Sequence, residues 1–356
     1  MPSQSLATTR PATVELPAAA RILGIRFSAL GDTLLTFPAL RLLKATYPDA
    51  HLAFLTDSRC AGLFDGLEVL DELFTLDRLA LKRLRPHAVR QLLNELLRPA
   101  LLGSWDVVVD FQSFTETAVV AAATRAPLRI GRRYKTGAGR LYRPWIDTPH
   151  PPIYMTGAHI DTLVQAGLAA APPASRQAGI APFYRIPAKA RRRWDRRSAA
   201  LRLPTVELAP RIAFFVGAAK THKLWPAKRF AQLALRLAAE IPHSFLIFAG
   251  PGEQGAVRQV VEEATSQGLG DRIADGGCGE LATLAAAFEQ CSATVSNDTG
   301  PLHLSVAVGT PTLGIFCTGD PHFIPPTPHR HVVATAEQID AISVDQVTAA
   351  ARHLLT

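Results

Sequence analysis

At 356 residues the chain is too long for one ordinary hydrophobic core, and about two domains are expected. Apolar residues make up 48% and charged residues 19%, which excludes global disorder, and no apolar run has the roughly 20 residues a membrane-spanning helix needs. A net charge of +8 asks for an anionic partner: nucleic acid, a membrane surface or a phosphorylated substrate.

Residues 1–20 are rich in Ala, Pro, Ser and Thr and contain no signal-type apolar block, so they read as a floppy leader and the protein as cytoplasmic. Residues 21–27 (RILGIRF) read as a buried strand, followed by a Gly-containing turn and one helix through TLLTFPALRLLKATYP. Strands at 51–56 and 105–111 and a helix through TAVVAAATRA continue the series. A Pro-rich stretch between Pro144 and Pro187 is broken by a helical piece around HIDTLVQAGLA, and Lys189 to Leu203 reads as a basic linker helix. A second series opens at 211–217 (RIAFFVG), with strands at 244–250, 293–297 and 310–317 separated by helical patterns, and a helical tail. Short apolar strands alternating with helices predict an α/β fold with parallel sheets. The expected division is a leader at 1–20, a Rossmann-like domain at 21–185, a linker helix at 186–205, a second Rossmann-like domain at 206–335 and a terminal helix at 336–356. Two such halves suit a ligand held beyond the carboxyl ends of their strands, in a cleft between them.

The charge is clustered. Between Ala123 and Ile146 there are seven cations, Arg125, Arg129, Arg132, Arg133, Lys135, Arg140 and Arg143, and no acid. From Arg185 to Arg202 there are eight against Asp195 alone. Each cluster is either a solvated face or an anion-binding one. No helix-turn-helix, zinc-finger or single-strand-binding signature accompanies them, which sets nucleic acid aside. The four cysteines, Cys60, Cys278, Cys291 and Cys317, form no Cys-x-x-Cys pair; they lack the spacing of a zinc site and are too sparse for a disulfide framework.

Four loops after predicted strands carry residues that a core does not require. In Ser28-Ala29-Leu30-Gly31-Asp32-Thr33, Asp32 is either a helix cap or a general base at a helix end that favours negative charge. In the basic loop Gly217–Pro226, lysines are either exposed charge or phosphate ligands. Gly250-Pro251-Gly252-Glu253-Gln254-Gly255 matches G-x-G-x-x-G, but Pro251 removes an amide donor from the loop that would hold pyrophosphate, and no hydride-transfer constellation accompanies it. In Ser296-Asn297-Asp298-Thr299-Gly300-Pro301-Leu302-His303, Pro301 suits the first helical position, and the amides of Thr299 and Gly300 suit a diphosphate at a helix N-terminus. Asp298 suits sugar hydroxyls, and His303 is either a packed residue or part of the site.

Together IRFSALGDTLLTFPALRLLKATYP, VGAAKTHKLWPAKRFAQLA and SNDTGPLHLSVAVGTPTLGIF resemble, in order and spacing, the ADP-heptose:lipopolysaccharide heptosyltransferases of glycosyltransferase family nine. The resemblance spans about residues 21 to 325. It implies a GT-B fold, with the acceptor in the N-terminal domain and the nucleotide sugar in the C-terminal one. It also implies inverting, metal-independent transfer with no cofactor, which the lack of an Asp-x-Asp motif matches. By position Asp32 corresponds to the base and Lys223 to the phosphate-binding lysine. Asp298, Thr299, Gly300 and His303 correspond to the donor signature, Glu253 to the ribose-binding acid and Gly279 to an adenine-side contact. The implied partners are ADP-heptose and an anionic lipid-linked saccharide, with peripheral contact at the inner face of the cytoplasmic membrane. Arg125, Arg129, Arg132, Arg133 and Lys135 are then expected to receive that acceptor. Two departures stand out: Cys317-Thr318-Gly319-Asp320-Pro321 replaces the family's Gly-Pro-Thr-Asp-Pro, and the acceptor half matches only in outline. The competing readings are a related transferase with another nucleotide sugar or a protein acceptor, a GT-B epimerase or hydrolase, and an inactive binding protein.

Overall fold

The structure, a computed structural model, describes residues 14–77, 103–132, 137–146, 153–170, 181–201, 203–205, 209–277 and 279–355. By its contacts the chain divides into two compact units. One comprises Met1–Phe27, Pro38–Ser58 and Val69–Gln177, the other Ser28–Phe37, Arg59–Glu68 and Ala178–Thr356.

The first unit is built on β1 (Arg21–Arg26), β2 (His51–Asp57), β3 (Glu72–Leu76), β4 (Val107–Asp110), β5 (Leu128–Arg132) and β6 (Trp145–Ile146). They form a parallel sheet in the order β3-β2-β1-β4-β5-β6. Helices on the faces of a parallel sheet bury its strands on both sides, which is why β4, Val-Val-Val-Asp, is buried throughout. α3 (Thr115–Ala123) and α4 (Met155–Gln165) belong to this unit.

The second unit repeats the plan. β7 (Arg211–Phe215), β8 (Ser244–Phe248), β9 (Ile273–Gly277), β10 (Ala293–Asn297), β11 (Thr312–Phe316) and β12 (Arg330–Val333) are parallel in the order β12-β11-β10-β7-β8-β9. Counted from each unit's first strand, both sheets run 3-2-1-4-5-6, the doubly wound order that places ligand loops at strand carboxyl ends. Around the second sheet lie α5 (Ala188–Ala199), α6 (Ala227–Glu240), α7 (Gln254–Ala264), α8 (Leu281–Glu289), α9 (Gly300–Ala307) and α10 (Val344–Leu355). The buried Trp225 knits this core: its ring meets Phe230 edge-on at 4.9 Å, and its indole N–H donates to the Ile342 carbonyl at 2.9 Å.

The helix expected through TLLTFPALRLLKATYP is two helices, α1 (Leu30–Leu34) and α2 (Phe37–Thr46). Pro38 is the reason. It has no N–H to give to Leu34 and its ring would strike that carbonyl, so the chain restarts with Pro38 in the first turn of α2. Among the described residues no helix is long and apolar enough to cross a membrane.

Candidate active site

The candidate site lies in the second unit, around the loop after β10. Thr299 is the extended N-cap residue of α9, with φ −145° and ψ 170°, and Pro301 is the second helical residue, one place later than expected. Either position spares a hydrogen bond, because the first helical amides have no partner in their own helix. Asp298 leaves β10 with its amide on the Ile315 carbonyl at 3.0 Å. Its carboxylate accepts a hydrogen bond from the Lys223 ammonium, and the side chains are 10% and 27% exposed. Lys223 closes the 3₁₀ turn Thr221–Lys223 that follows β7.

Asn297 holds those two loops in register and was not singled out by its sequence context. It is fully buried; its Oδ1 accepts the Trp225 amide at 3.1 Å and its Nδ2 donates to the Val216 carbonyl at 2.9 Å. The signal was its place as the last residue of a buried strand, where an amide side chain needs partners.

Glu253 performs a similar task one strand over. Its Oε1 accepts the Ala218 amide at 2.9 Å and its Oε2 accepts the Gly250 amide at 2.8 Å. A Cβ on Gly217 would sit 2.0 Å from Oε2, so glycine there leaves room for the carboxylate. The loop matching G-x-G-x-x-G is thus organised around an internal acid.

Asp32 lies in the first turn of α1, within the second unit, and its Oδ2 accepts the Ala29 amide at 2.9 Å. The N-cap is therefore Ala29, not Asp32, which is the third helical residue bonded back to that cap, and the bond fixes the carboxylate in place. Directly beside it, Gly31 packs on His303: a Cβ there would lie 2.7 Å from the His303 Cδ2. His303 is 4% exposed, and burial pulls its pKa below the usual histidine value. Asp298 and Asp32 oppose that shift and Lys223 adds to it, so all four groups share one electrostatic neighbourhood. Phe323, from the segment after β11, sets its ring 6.3 Å from that of His303.

Gly279 is exposed beside a cleft of about 440 Å³ at the carboxyl ends of β8 and β9, lined also by Arg193, Trp194, Arg197, Phe248 and Thr283. The second basic cluster is largely committed within its own unit. Arg185 pairs with Glu68, Lys189 with Asp65 at 2.8 Å, Arg191 with Glu289 at 2.6 Å, and Arg193 with Glu280. Arg197 donates to the Gly276 carbonyl at 2.6 Å. It behaves as a clamp holding α5 to its neighbours.

The first cluster, in the first unit, is not a single basic face. Arg132 ends β5 and is 1% exposed, with its Nε on Thr162 Oγ1 at 2.9 Å and an Nη on His159 Nδ1 at 2.6 Å. Burial and the neighbouring guanidinium groups push the His159 pKa well down, so Nδ1 accepts from Arg132. Arg129 gives its Nε to the Leu141 carbonyl at 3.0 Å. The expectation fails at Arg132 because it ends a strand of a parallel sheet that is buried on both faces, whereas Arg125, Arg140 and Arg143 are exposed. Arg133 and Lys135 lie outside the described residues.

Among the described residues, no three His, Cys, Asp or Glu side chains converge as a metal site requires.

Known proteins match this chain in sequence and fold. Residues 96–351 match the family described as glycosyltransferase family 9 (heptosyltransferase). Over 314 residues the chain is 22% identical to lipopolysaccharide heptosyltransferase 2 of Salmonella typhimurium, covering 87% of this chain and 86% of that one. The crystal structure of a family 9 glycosyl transferase from Veillonella parvula superposes with a TM-score of 0.76 at 23% identity, over 94% of this chain and 97% of its own. E. coli ADP-heptose lipopolysaccharide heptosyltransferase II gives 0.71 at 20% identity, over 94% and 98%. The E. coli heptosyltransferase solved with ADP gives 0.72 at 18%, over 94% and 99%. The twin parallel sheets are those of the GT-B fold, and the chain belongs to glycosyltransferase family 9, the heptosyltransferases.

Proposed function

We propose that the protein transfers a heptose from ADP-heptose, with inversion, to a lipid A-linked inner-core saccharide at the inner face of the cytoplasmic membrane. The observation that carries this reading is the gathering of Asp32, Lys223, Asp298 and His303 around the start of α9. The family, the heptosyltransferase relatives and a neighbour solved with ADP support the choice of donor.

The chemistry assigns the roles. The acceptor hydroxyl attacks the anomeric carbon opposite the departing diphosphate, and Asp32, fixed by the Ala29 amide, removes its proton. Charge then grows on the leaving phosphate, where Lys223 and the amides of Thr299 and Gly300 at the α9 N-terminus stabilise it. His303, held neutral by burial, donates or accepts a hydrogen bond without adding a charge. Asp298 and Glu253 take hydroxyls of the sugar and ribose, and the cleft beside Gly279 takes the base. Among acceptor groups, the exposed Arg125 is the one assigned to the anionic acceptor, and the buried Arg132 serves the fold.

Incubation with ADP-heptose and a heptose-free lipid A-linked acceptor, followed by mass spectrometry, tests the proposal. A heptose-sized mass gain with release of ADP is expected. Transfer from another nucleotide sugar and none from ADP-heptose would overturn the donor assignment.

A further inference from the structure

We infer that Gly31 and Gly300 are positioning residues for the transfer: their backbones meet with no side chain between them, and this contact sets the Asp32 carboxylate against the loop at 298–300. The inference rests on the reading of Asp32 as the base.

Both glycines lie in the second unit and each faces the other's main chain. A Cβ on Gly31 would come 2.7 Å from His303 Cδ2 and 3.1 Å from Gly300 Cα. A Cβ on Gly300 would come 2.7 Å from Leu30 Cδ2 and 3.1 Å from the Gly31 nitrogen. Neither residue has a positive φ, so close approach, not backbone conformation, is what demands glycine at both places.

At the seam the end of the Leu30 side chain can swing aside, but His303 and the two backbones yield only at a cost. His303 is 4% exposed and packs against Phe323, so swinging it aside would open a filled place. Asp32 is bonded to the Ala29 amide inside the five-residue α1, so its carboxylate travels with the Gly31 backbone. On the other side, the Asp298 amide is held by Ile315 and its carboxylate by Lys223. Each reacting group is therefore rigid relative to its own glycine, and the seam sets the separation between them. In-line displacement needs that separation to be narrow in range, because the base and the leaving-group cradle act on opposite sides of one carbon. A misplacement of about 1 Å is enough to cost on the order of 100-fold in rate.

Steady-state kinetics of the full-length protein, with ADP binding and thermal melting in parallel, test the inference. Gly31→Ala is expected to lower kcat about 10- to 100-fold while the donor KM and the ADP Kd stay within about threefold. Gly300→Ala is expected to lower kcat as well, and adding Leu30→Ala should recover only part of it, because the new methyl group meets Leu30 Cδ2 at 2.7 Å, which that change removes, and the Gly31 nitrogen at 3.1 Å, which it leaves. Wild-type kcat in Gly31→Ala overturns the inference, as does an equal loss of kcat and ADP affinity. If Gly31→Ala does not fold, Gly300→Ala decides, and wild-type kcat in that variant overturns it. Asp32→Asn separates the two levels. Normal transfer by Asp32→Asn removes the base assignment and this inference with it, whereas an inactive Asp32→Asn beside a normal Gly31→Ala removes the inference alone.

Discussion

The Lys223 ammonium donates to the Asp298 carboxylate, joining the loop after β7 to the loop after β10 in the second unit. Lys223→Ala is expected to weaken ADP binding at least about 10-fold, measured by calorimetry, through loss of a phosphate-directed cation and exposure of an unpaired acid. Chelation with EDTA should leave turnover unchanged; a loss restored by a divalent ion would show that Lys223 and the α9 amides do not carry the leaving-group charge.

Asp32→Asn should reduce kcat by about 100-fold or more and leave the ADP Kd within a few fold. The amide keeps an oxygen for the Ala29 N–H, so the local turn survives and the loss reports proton transfer. Near-normal turnover would leave Asp32 only its bond back to the helix cap.

Asn297→Ala leaves the Trp225 amide and the Val216 carbonyl without their buried partner. A loss of about 1–3 kcal/mol is expected from urea unfolding. Because Asn297 braces both donor loops, ADP affinity should fall as well. Unchanged stability would mean that water or a neighbouring group takes its place.

Acid should destabilise the fold through its buried histidines. His329 is 5% exposed and burial pushes its pKa down from 6.5 to about 4; His159 and His303 are lowered too. An unfolded chain binds protons below pH ~6.5 that these imidazoles refuse, so stability is full above that value and is lost as pH falls toward about 4. His329 alone accounts for about 3 kcal/mol across that window. Urea midpoints of His329→Leu should fall less between pH 7 and pH 4.5 than those of the wild type; an identical slope would contradict the burial.

The two arginines at either end of β5's approach should part company. Arg125→Glu should raise the acceptor KM at low salt, spare ADP binding, and lose its effect as screening over about 8–10 Å sets in. Arg132→Glu should instead lower the melting temperature sharply, because it places an acid where a guanidinium serves Thr162 and His159.

The alternation of apolar strands and helices made the central strands of both sheets legible but not β3, β6 or β12, since parallel strands buried on two faces read as continuous runs: Arg-Ile-Ala-Phe-Phe and Val-Val-Val-Asp needed no tertiary information. β5 hid inside a basic stretch and β9 inside Ile-Ala-Asp-Gly-Gly, where charge and glycine mask the period. Asp32, Lys223, Asp298 and His303 were legible as motif residues, but their shared electrostatic neighbourhood was not, because loops far apart in sequence bring them together. The burial of Arg132 escaped notice for the same reason: a run of cations shows composition, and only pairing in a sheet decides which of them see water.

Glu253 has a mechanical consequence. One carboxylate holds amides from the loops after β7 and β8, so these loops shift together or not at all. Its own rotation was given up during folding, and the ribose hydroxyl proposed for Glu253 would meet an acceptor with no rotamer left to lose. Shortening it to Asp would separate the loops and restore that freedom at once, so the penalty in ligand affinity should be mainly entropic and should grow with temperature.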